Sequence, residues 1–527
     1  MERLASRVIL SSGIGRVFLA MLAGALAVLA QAPFFVILAP FVSFTLLVWL
    51  IDGATGRAGA GMIRRRLPAF MIGWWFGFGY FLAGLWWLGA AFLVEADEFA
   101  WLMPLGIIGL PAFLAVYFGF ATLVARLFWS EGAGRICALA ASFGLFEWLR
   151  AFLFTGFPWN AIGYAVMPVP LLMQSAGAIG LWAVTTLAVF VFATPALFGT
   201  RRGLVPGVAF ALVLAAAHVG YGAFVLSRPA PAALDPALPI RIVQPVIDQA
   251  KKLDDAERGR IFEEHLALSA AAPAEGRPKP KIIVWPETSI PFILTLNPDA
   301  LVRIADVLED GQVLIAGAVR SEDAGPGLPP RYYNSVYVID DRGQIVAAAD
   351  KVHLVPFGEY LPFESLLQEA GLQALAASMP GGYSSAPAHQ PLTLPGGKVF
   401  YPLICYEAIF PDEIEATTAT TDALLNITND GWFGKTPGPF QHFHQAQLRA
   451  VETGLPLIRV ANTGVSAVVT ARGDVVDGLQ LDAKGFVDVD LPAKEPRPIP
   501  HPWQTRGFLI GCALMLLIAL YTRKQST

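Results

Sequence analysis

The chain has 527 residues, of which 55% are hydrophobic and only 15% charged, and its mean hydropathy is +0.55. This composition excludes an ordinary soluble protein. A net charge of −4, with no basic patch interleaved with aromatics, excludes a nucleic-acid partner.

In chain order, seven apolar stretches long enough to span a bilayer precede residue 227, near 11–31, 33–51, 69–94, 101–125, 136–156, 177–199 and 204–226. An eighth runs from Gly507 to Tyr521. The predicted organisation is a membrane domain over 1–226 with seven transmembrane helices, an extracytoplasmic domain over 240–492, and an eighth transmembrane helix over 507–521. The proline-rich spacers SRPAPAALDPALP and PAKEPRPIPHPWQ flank the middle domain, which is long enough for a core of its own.

Basic residues set the orientation. Arg3, Arg7, Arg16, Arg57, Arg64, Arg65, Arg66, Arg126, Arg135, Arg201, Arg202, Arg523 and Lys524 fall on one side if the spans alternate, while opposite loops such as EADEFA carry none. Both termini are therefore expected in the cytoplasm and the middle domain outside it. Within the fifth span, Glu147 and Arg150 in FEWLRAF are spaced to pair on one helix face. A structural or snorkelling pair and an arginine that receives a lipid phosphate are both open readings.

The middle domain reads as alternating α and β. IRIVQPVI, KIIVWPE, QVLIAGAV, NSVYVID, VFYPLICYE, ALLNITN, LPLIRVAN and VSAVVTA are predicted strands, and helical patterns cover Asp254–Ala271 and Phe440–Glu452. Such a chain builds layered sheet and helix, with functional groups where strands end. Glu287, Lys351 and Cys405 occupy such ends. Singly, they read as a helix-start carboxylate, a solvated cation and core filler. Of three cysteines, Cys137 and Cys512 lie in predicted spans, so Cys405 has no intrachain disulfide partner outside the membrane. It is either tightly buried or functional.

Together the three have chemical logic. A carboxylate base can generate a thiolate nucleophile, and a lysine can stabilise a tetrahedral oxyanion beside a backbone N–H such as that of Tyr406. There is no G-x-S-x-G or H-E-x-x-H motif, and the i,i+2 spacing of His442 and His444 places them on different helix faces. No metal and no cofactor are expected.

WPETSIP, DKVHLVPFGEYLP, ICYEAIFPD and NITNDGWFGKTPGPFQHFHQAQLRAVETGLPLIRVANTGVS resemble the nitrilase-like carbon–nitrogen hydrolase superfamily. With eight spans and TGFPWNAIGYA after the fifth, the whole chain looks like that superfamily's membrane-embedded apolipoprotein N-acyltransferase branch. The resemblance implies a membrane α-helical bundle of eight transmembrane helices plus an α/β nitrilase-like αββα sandwich. It places the catalytic Glu–Lys–Cys triad on Glu287, Lys351 and Cys405, and supporting or substrate-binding residues on Glu359, Tyr406, Glu407, Asn334 and Trp432. It further implies a monomeric enzyme of the bacterial inner membrane with its catalytic domain on the periplasmic side. The acyl donor would be a phospholipid, phosphatidylethanolamine, and the acceptor the α-amine of a diacylglyceryl-modified apolipoprotein, with a cysteine thioester between them.

Family members usually show Asn and then Trp in the stretch here written VQPVIDQAKKLD, where this chain has Val246 and Leu253. The aromatic and apolar stretch HLVPFGEYLPF is a candidate closing flap. Two rivals are a membrane-tethered amidase that gives its acyl group to water and a non-enzymatic scaffold. The complete Glu–Lys–Cys set argues against the scaffold.

Overall fold

The chain divides into two units: Met1–Ala230 with Thr436–Gln441 and Arg497–Thr527, and Pro231–Lys435 with His442–Pro496. The computed structural model describes the whole chain except residues 57–58, 60, 62–63, 274, 363–381, 498 and 527. Arg57 of the charge pattern and the last residue of the candidate flap lie outside the described residues.

In the helical unit, six stretches among the described residues are long and apolar enough to cross a membrane. They are Gly13–Ala30, Leu67–Leu93, Ala96–Leu127, Pro170–Gly199, Leu204–Ser227 and His501–Gln525. The sequence leads to an expectation of eight, and the difference has two causes. The helix Ala39–Asp52 has 14 residues, fewer than a bilayer-spanning helix ordinarily needs. The helix Ala133–Arg150 has 18 residues, but they include Arg135, Glu147 and Arg150.

The last two of these charges satisfy each other. Arg150 Nη2 donates to Glu147 Oε2 at 2.9 Å, and Arg150 Nη1 donates to the carbonyls of Phe157 and, at 3.0 Å, Trp159. Both side chains are wholly buried. This is a structural ion pair, and the guanidinium has no exposed surface to offer a lipid phosphate. Close backbone packing holds other helices together. A Cβ on Gly24 would fall 1.9 Å from the carbonyl oxygen of Phe76, and one on Gly79 would fall 2.1 Å from that of Met21. These reciprocal glycines let Gly13–Ala27 and Leu67–Leu85 cross at backbone distance. In the same unit Trp87, Trp159 and Asn160 all donate to Gln441 Oε1, at 3.1, 2.9 and 3.1 Å.

The second unit contains two six-stranded sheets. The strands are β1 (Pro239–Gln244), β2 (Ile282–Val284), β3 (Val313–Glu322), β4 (Arg331–Asp340), β5 (Ile345–Asp350), β6 (Leu392–Thr393), β7 (Val399–Ile404), β8 (Ala423–Thr428), β9 (Leu457–Ala461), β10 (Ser466–Val469), β11 (Val475–Leu479) and β12 (Gly485–Asp490). The sheet orders are β12-β1-β2-β3-β4-β5 and β11-β10-β9-β8-β7-β6. The strands β1, β2 and β3 run parallel, as do β7, β8 and β9, and antiparallel strands flank each trio. All eight strand expectations correspond to observed strands. Of the remaining four, β6 is short and β5, β11 and β12 are partly exposed, so none shows the buried apolar run that marks most of the others.

Strand alternation builds the layers. Ile240, Ile242, Ile282, Val284, Val313 and Ile315 of the first sheet meet Phe400, Ile404, Leu425, Ile427, Ile458 and Val460 of the second in one core. The opposite face of the first sheet, with Ile283, Trp285 and Leu314, packs against Phe262 and Leu266 of the helix Arg258–Ala270 and Ile304 of Pro298–Val307. Tyr401, Leu403, Leu424 and Leu457 of the second sheet pack against Ala446 and Ala450. This is an αββα sandwich. With both faces buried, the central strands read as nearly continuous apolar runs, and each buried aliphatic side chain contributes ~1.5–3 kcal/mol.

The layers seat the turn that follows β2. Gly317 N donates to the Pro286 carbonyl at 3.2 Å, while Ile290 N and Ser289 Oγ donate to the Gly317 carbonyl, each at 3.1 Å. A Cβ on Gly317 would lie 2.6 Å from both Pro286 O and Thr288 N, and 2.7 Å from Glu287 Cα. Gly317→Ala should therefore displace the Glu287 turn and destabilise the protein by ~1–3 kcal/mol. The check is the thermal unfolding midpoint of the full chain in detergent. Gly259→Ala, where a Cβ meets nothing within 4 Å, should be neutral or stabilising; equal losses at both positions would show that the close approach is not required.

Candidate active site

The thiol sits on a strained corner. Cys405 follows β7 and opens a 3-10 turn, Cys405–Ile409, with φ of +53°. A non-glycine residue keeps that conformation only where its surroundings enforce it. Glu407 supplies much of the enforcement. Its Oε2 accepts from Ile404 N at 2.6 Å, and its Oε1 accepts from Val352 N at 2.7 Å and His353 N at 3.0 Å. Burial pushes the Glu407 pKa up, while His389, Lys351 and these N–H groups oppose it.

Lys351 follows β5, and strand register brings it to Asn334. Ser335 pairs with Asp350 across β4 and β5, and Lys351 N donates to the Asn334 carbonyl at 2.8 Å. Lys351 Nζ lies 2.9 Å from Glu359 Oε1 and 3.5 Å from Glu287 Oε1. Asn334 Nδ2 donates to the same two oxygens, at 2.9 Å and 2.7 Å. All four side chains are buried. Burial disfavours the ammonium, but Glu359 first and Glu287 next outweigh it and hold the Lys351 pKa above the ordinary lysine value. Burial and Glu287 push the Cys405 thiol up, with Lys351 opposing. At neutral pH the resting group is thus the thiol, which needs a base to become a nucleophile.

The structure brings Glu287, Lys351, Glu359 and Asn334 into one hydrogen-bonded cluster, with the Cys405 thiol within its electrostatic reach. Glu407 ties the thiol's corner to the segment after Lys351. The buried Tyr406 ring packs against His353 and Phe410, with centroids at 5.5 and 5.0 Å. Trp432 lies half-buried in the turn Asp430–Phe433 and makes none of the cluster's hydrogen bonds among the described residues. In the candidate flap, Glu359 Oε2 accepts from Val355 N at 2.8 Å, and Phe357, with φ of +64°, is exposed. This turn and the Lys351 ammonium share one carboxylate.

Val246 has φ of +57°, and Leu253 is exposed. A left-handed backbone suits Asn far better than a β-branched residue, which accounts for the Asn expected there.

Sequence reasoning missed two groups. Lys252 Nζ donates to the Glu287 carbonyl at 3.1 Å and to Thr288 Oγ1 at 3.0 Å, bracing a turn whose Thr288 has φ of +46°. Burial lowers its pKa to about 8, against the pull of Glu287 and Cys405. The second group lies beneath the thiol. Asn426, Asp430, His442 and Arg459 are buried, and His442 Nε2 lies 3.1 Å from the Cys405 carbonyl. The signal was present in ALLNIT and LIRVA, where a polar or charged residue interrupts a strand buried on both faces and so demands a buried partner.

Comparison with known proteins identifies the family. Residues 240–500 match the Carbon-nitrogen hydrolase family, and residues 23–194 match the Apolipoprotein N-acyltransferase N-terminal domain. A protein of Sinorhizobium fredii named apolipoprotein N-acyltransferase is 63% identical, covering 99% of both chains. Another of that name from Rhizobium meliloti is 62% identical, covering 99% of this chain and 98% of its own. A solved amidase from Nesterenkonia sp. is 19% identical over 52% of this chain and 96% of its own, with a TM-score of 0.36, a similarity too low to bear on the fold. Near-complete coverage at such identity settles the kinship: the chain belongs to the apolipoprotein N-acyltransferase family, within the carbon–nitrogen hydrolases.

Proposed function

We propose that the chain transfers an acyl group from a phospholipid, through a thioester on Cys405, to the α-amine of a lipoprotein's S-diacylglyceryl cysteine. The observation that carries this reading is the buried Glu287–Lys351–Glu359 cluster within electrostatic reach of a lone thiol, in a chain that also holds long apolar helices. Both substrates carry acyl chains and reside at a bilayer. A soluble hydrolase would need no membrane helices.

In the first half-reaction Glu287 accepts the thiol proton as sulfur attacks the ester carbonyl. Lys351 and the Tyr406 N–H stabilise the oxyanion. Collapse breaks the ester C–O bond, and Glu287 returns the proton to the departing lysophospholipid oxygen. In the second, the amine, mostly protonated at neutral pH, first loses one proton to solvent. Its nitrogen attacks the thioester, Glu287 takes the second proton, and the thiolate recovers it as the C–S bond breaks. Glu359, Asn334 and Glu407 hold the lysine, the base and the elbow. Tyr406 and Trp432 shape the substrate's surroundings, and the turn around Phe357 closes to exclude water. No step needs a metal or cofactor. The donor is phosphatidylethanolamine, and the enzyme works as a monomer.

The proposed topology is eight crossings of a bacterial inner membrane, with Ala39–Asp52 and Ala133–Arg150 added to the six long stretches. Both termini lie in the cytoplasm and the catalytic domain on the periplasmic side. The arginine pattern supports this orientation. A reporter active only outside the cytoplasm should be active when fused after Pro492 and silent after Arg202. The reverse pattern would overturn the orientation.

Given phospholipid but no acceptor, the protein should gain one acyl mass and release one lysophospholipid. The mass should map to a peptide containing Cys405 and be removed by hydroxylamine. A diacylglyceryl peptide should then discharge it onto the peptide amine, and Cys405→Ala should show neither step. Acyl mass appearing as free fatty acid with or without peptide would instead establish a tethered hydrolase.

Glu287→Gln keeps the shape but removes the base, and should lower turnover by roughly 10²–10⁴-fold. Lys351→Met should lose on the order of 10²–10³-fold as an oxyanion donor disappears. Steady-state rates of peptide acylation measure both, and near-normal turnover in either variant would refute the role assigned to that residue.

A further inference from the structure

The peptide joining Cys405 to Tyr406 has two ends. Its carbonyl belongs to Cys405 and its N–H to Tyr406, and the trans amide points them in opposite directions. Whatever holds the carbonyl therefore aims the N–H. Two buried side chains hold it: His442 Nε2 lies 3.1 Å from the oxygen, and Asn426 Nδ2 donates to it at 3.4 Å. A carbonyl only accepts, so His442 Nε2 carries a proton.

His442 is itself fixed. Its Nδ1 lies 2.8 Å from Asp430 Oδ1 and 3.2 Å from Arg459 Nη2, and Asp430 accepts from Thr428 Oγ1 at 3.0 Å and from Arg459 Nη2 at 2.7 Å. Arg459 reaches Asn426 as well, since its Nη1 donates to Asn426 Oδ1. The two donors to the carbonyl are thus tied together by one guanidinium. Burial raises the Asp430 pKa, but Arg459 and His442 more than offset it and keep the group a carboxylate. Register explains the assembly: Asn426 of β8 pairs with Arg459 of β9. The main chain needs the help, because Cys405 sits at positive φ.

We propose that His442, oriented by Asp430 and Arg459, is a positioning residue that fixes the Cys405–Tyr406 peptide so that the Tyr406 N–H meets the oxyanion of the acyl-transfer intermediate. Donation to the carbonyl also polarises the amide and strengthens its N–H as a donor. The inference rests on the acyl-transfer reading above. It assigns His442 to the oxyanion and not to the thiol.

Two reactions of Cys405 separate these roles. Acyl-enzyme formation from phosphatidylethanolamine passes through an oxyanion; alkylation by iodoacetamide, a displacement at saturated carbon, does not. In the full-length protein in detergent, His442→Leu should slow single-turnover lysophospholipid release by about 10²-fold while leaving alkylation of Cys405 within about threefold. His442→Gln, whose amide can donate to the same carbonyl, should recover about tenfold of that loss. Should the leucine variant not fold, the glutamine variant carries the test alone, with acylation about tenfold below wild type and alkylation unchanged. Acylation and alkylation falling together, or acylation unaffected, would overturn the proposal. A wild-type protein that is alkylated but never acylated would sink the acyl-transfer reading instead, and is distinguishable from both.

Discussion

One buried carboxylate couples the two sheets at the site. Glu407 accepts an N–H from Ile404, at the end of β7, and two more from Val352 and His353, just beyond β5. The strands β7 and β5 belong to different sheets. The thiol's corner and the lysine's segment are therefore bound to the same two oxygens, and neither can shift without breaking a charge-assisted hydrogen bond. The cost is desolvation of a carboxylate, which three backbone donors offset in part. With this bridge in place, the strained φ of Cys405 becomes a fixed geometric feature.

Charge in the cluster follows the same economy. Glu287 and Glu359 are buried close together, an arrangement that the Lys351 ammonium and the Asn334 amide make tolerable by binding one oxygen of each. Burial and Glu287 discourage a resting thiolate, so the thiol stays neutral until its proton has somewhere to go. A site built this way couples nucleophile formation to proton transfer. It avoids a permanently reactive sulfur.

The fold was legible because the central strands are buried on both faces, so ALLNIT and KIIVW announce themselves as apolar runs. The partly exposed β11 and β12 carry no such mark. Glu287 and Cys405 were legible because each ends an expected strand, and Lys351 because it follows the apolar stretch QIVAAAD. Lys252 was not, since it lies in a polar stretch, QAKKLDD, where a lysine signals nothing. His442 was visible as a residue but was weighed only as a possible metal ligand, because its partners Asp430 and Arg459 become neighbours only through the pairing of β8 with β9. The helix Ala133–Arg150 shows the opposite limit. Hydropathy absorbed its charges into a span, and only tertiary contacts reveal why they are tolerated: Arg150 is held by Glu147 and two carbonyls.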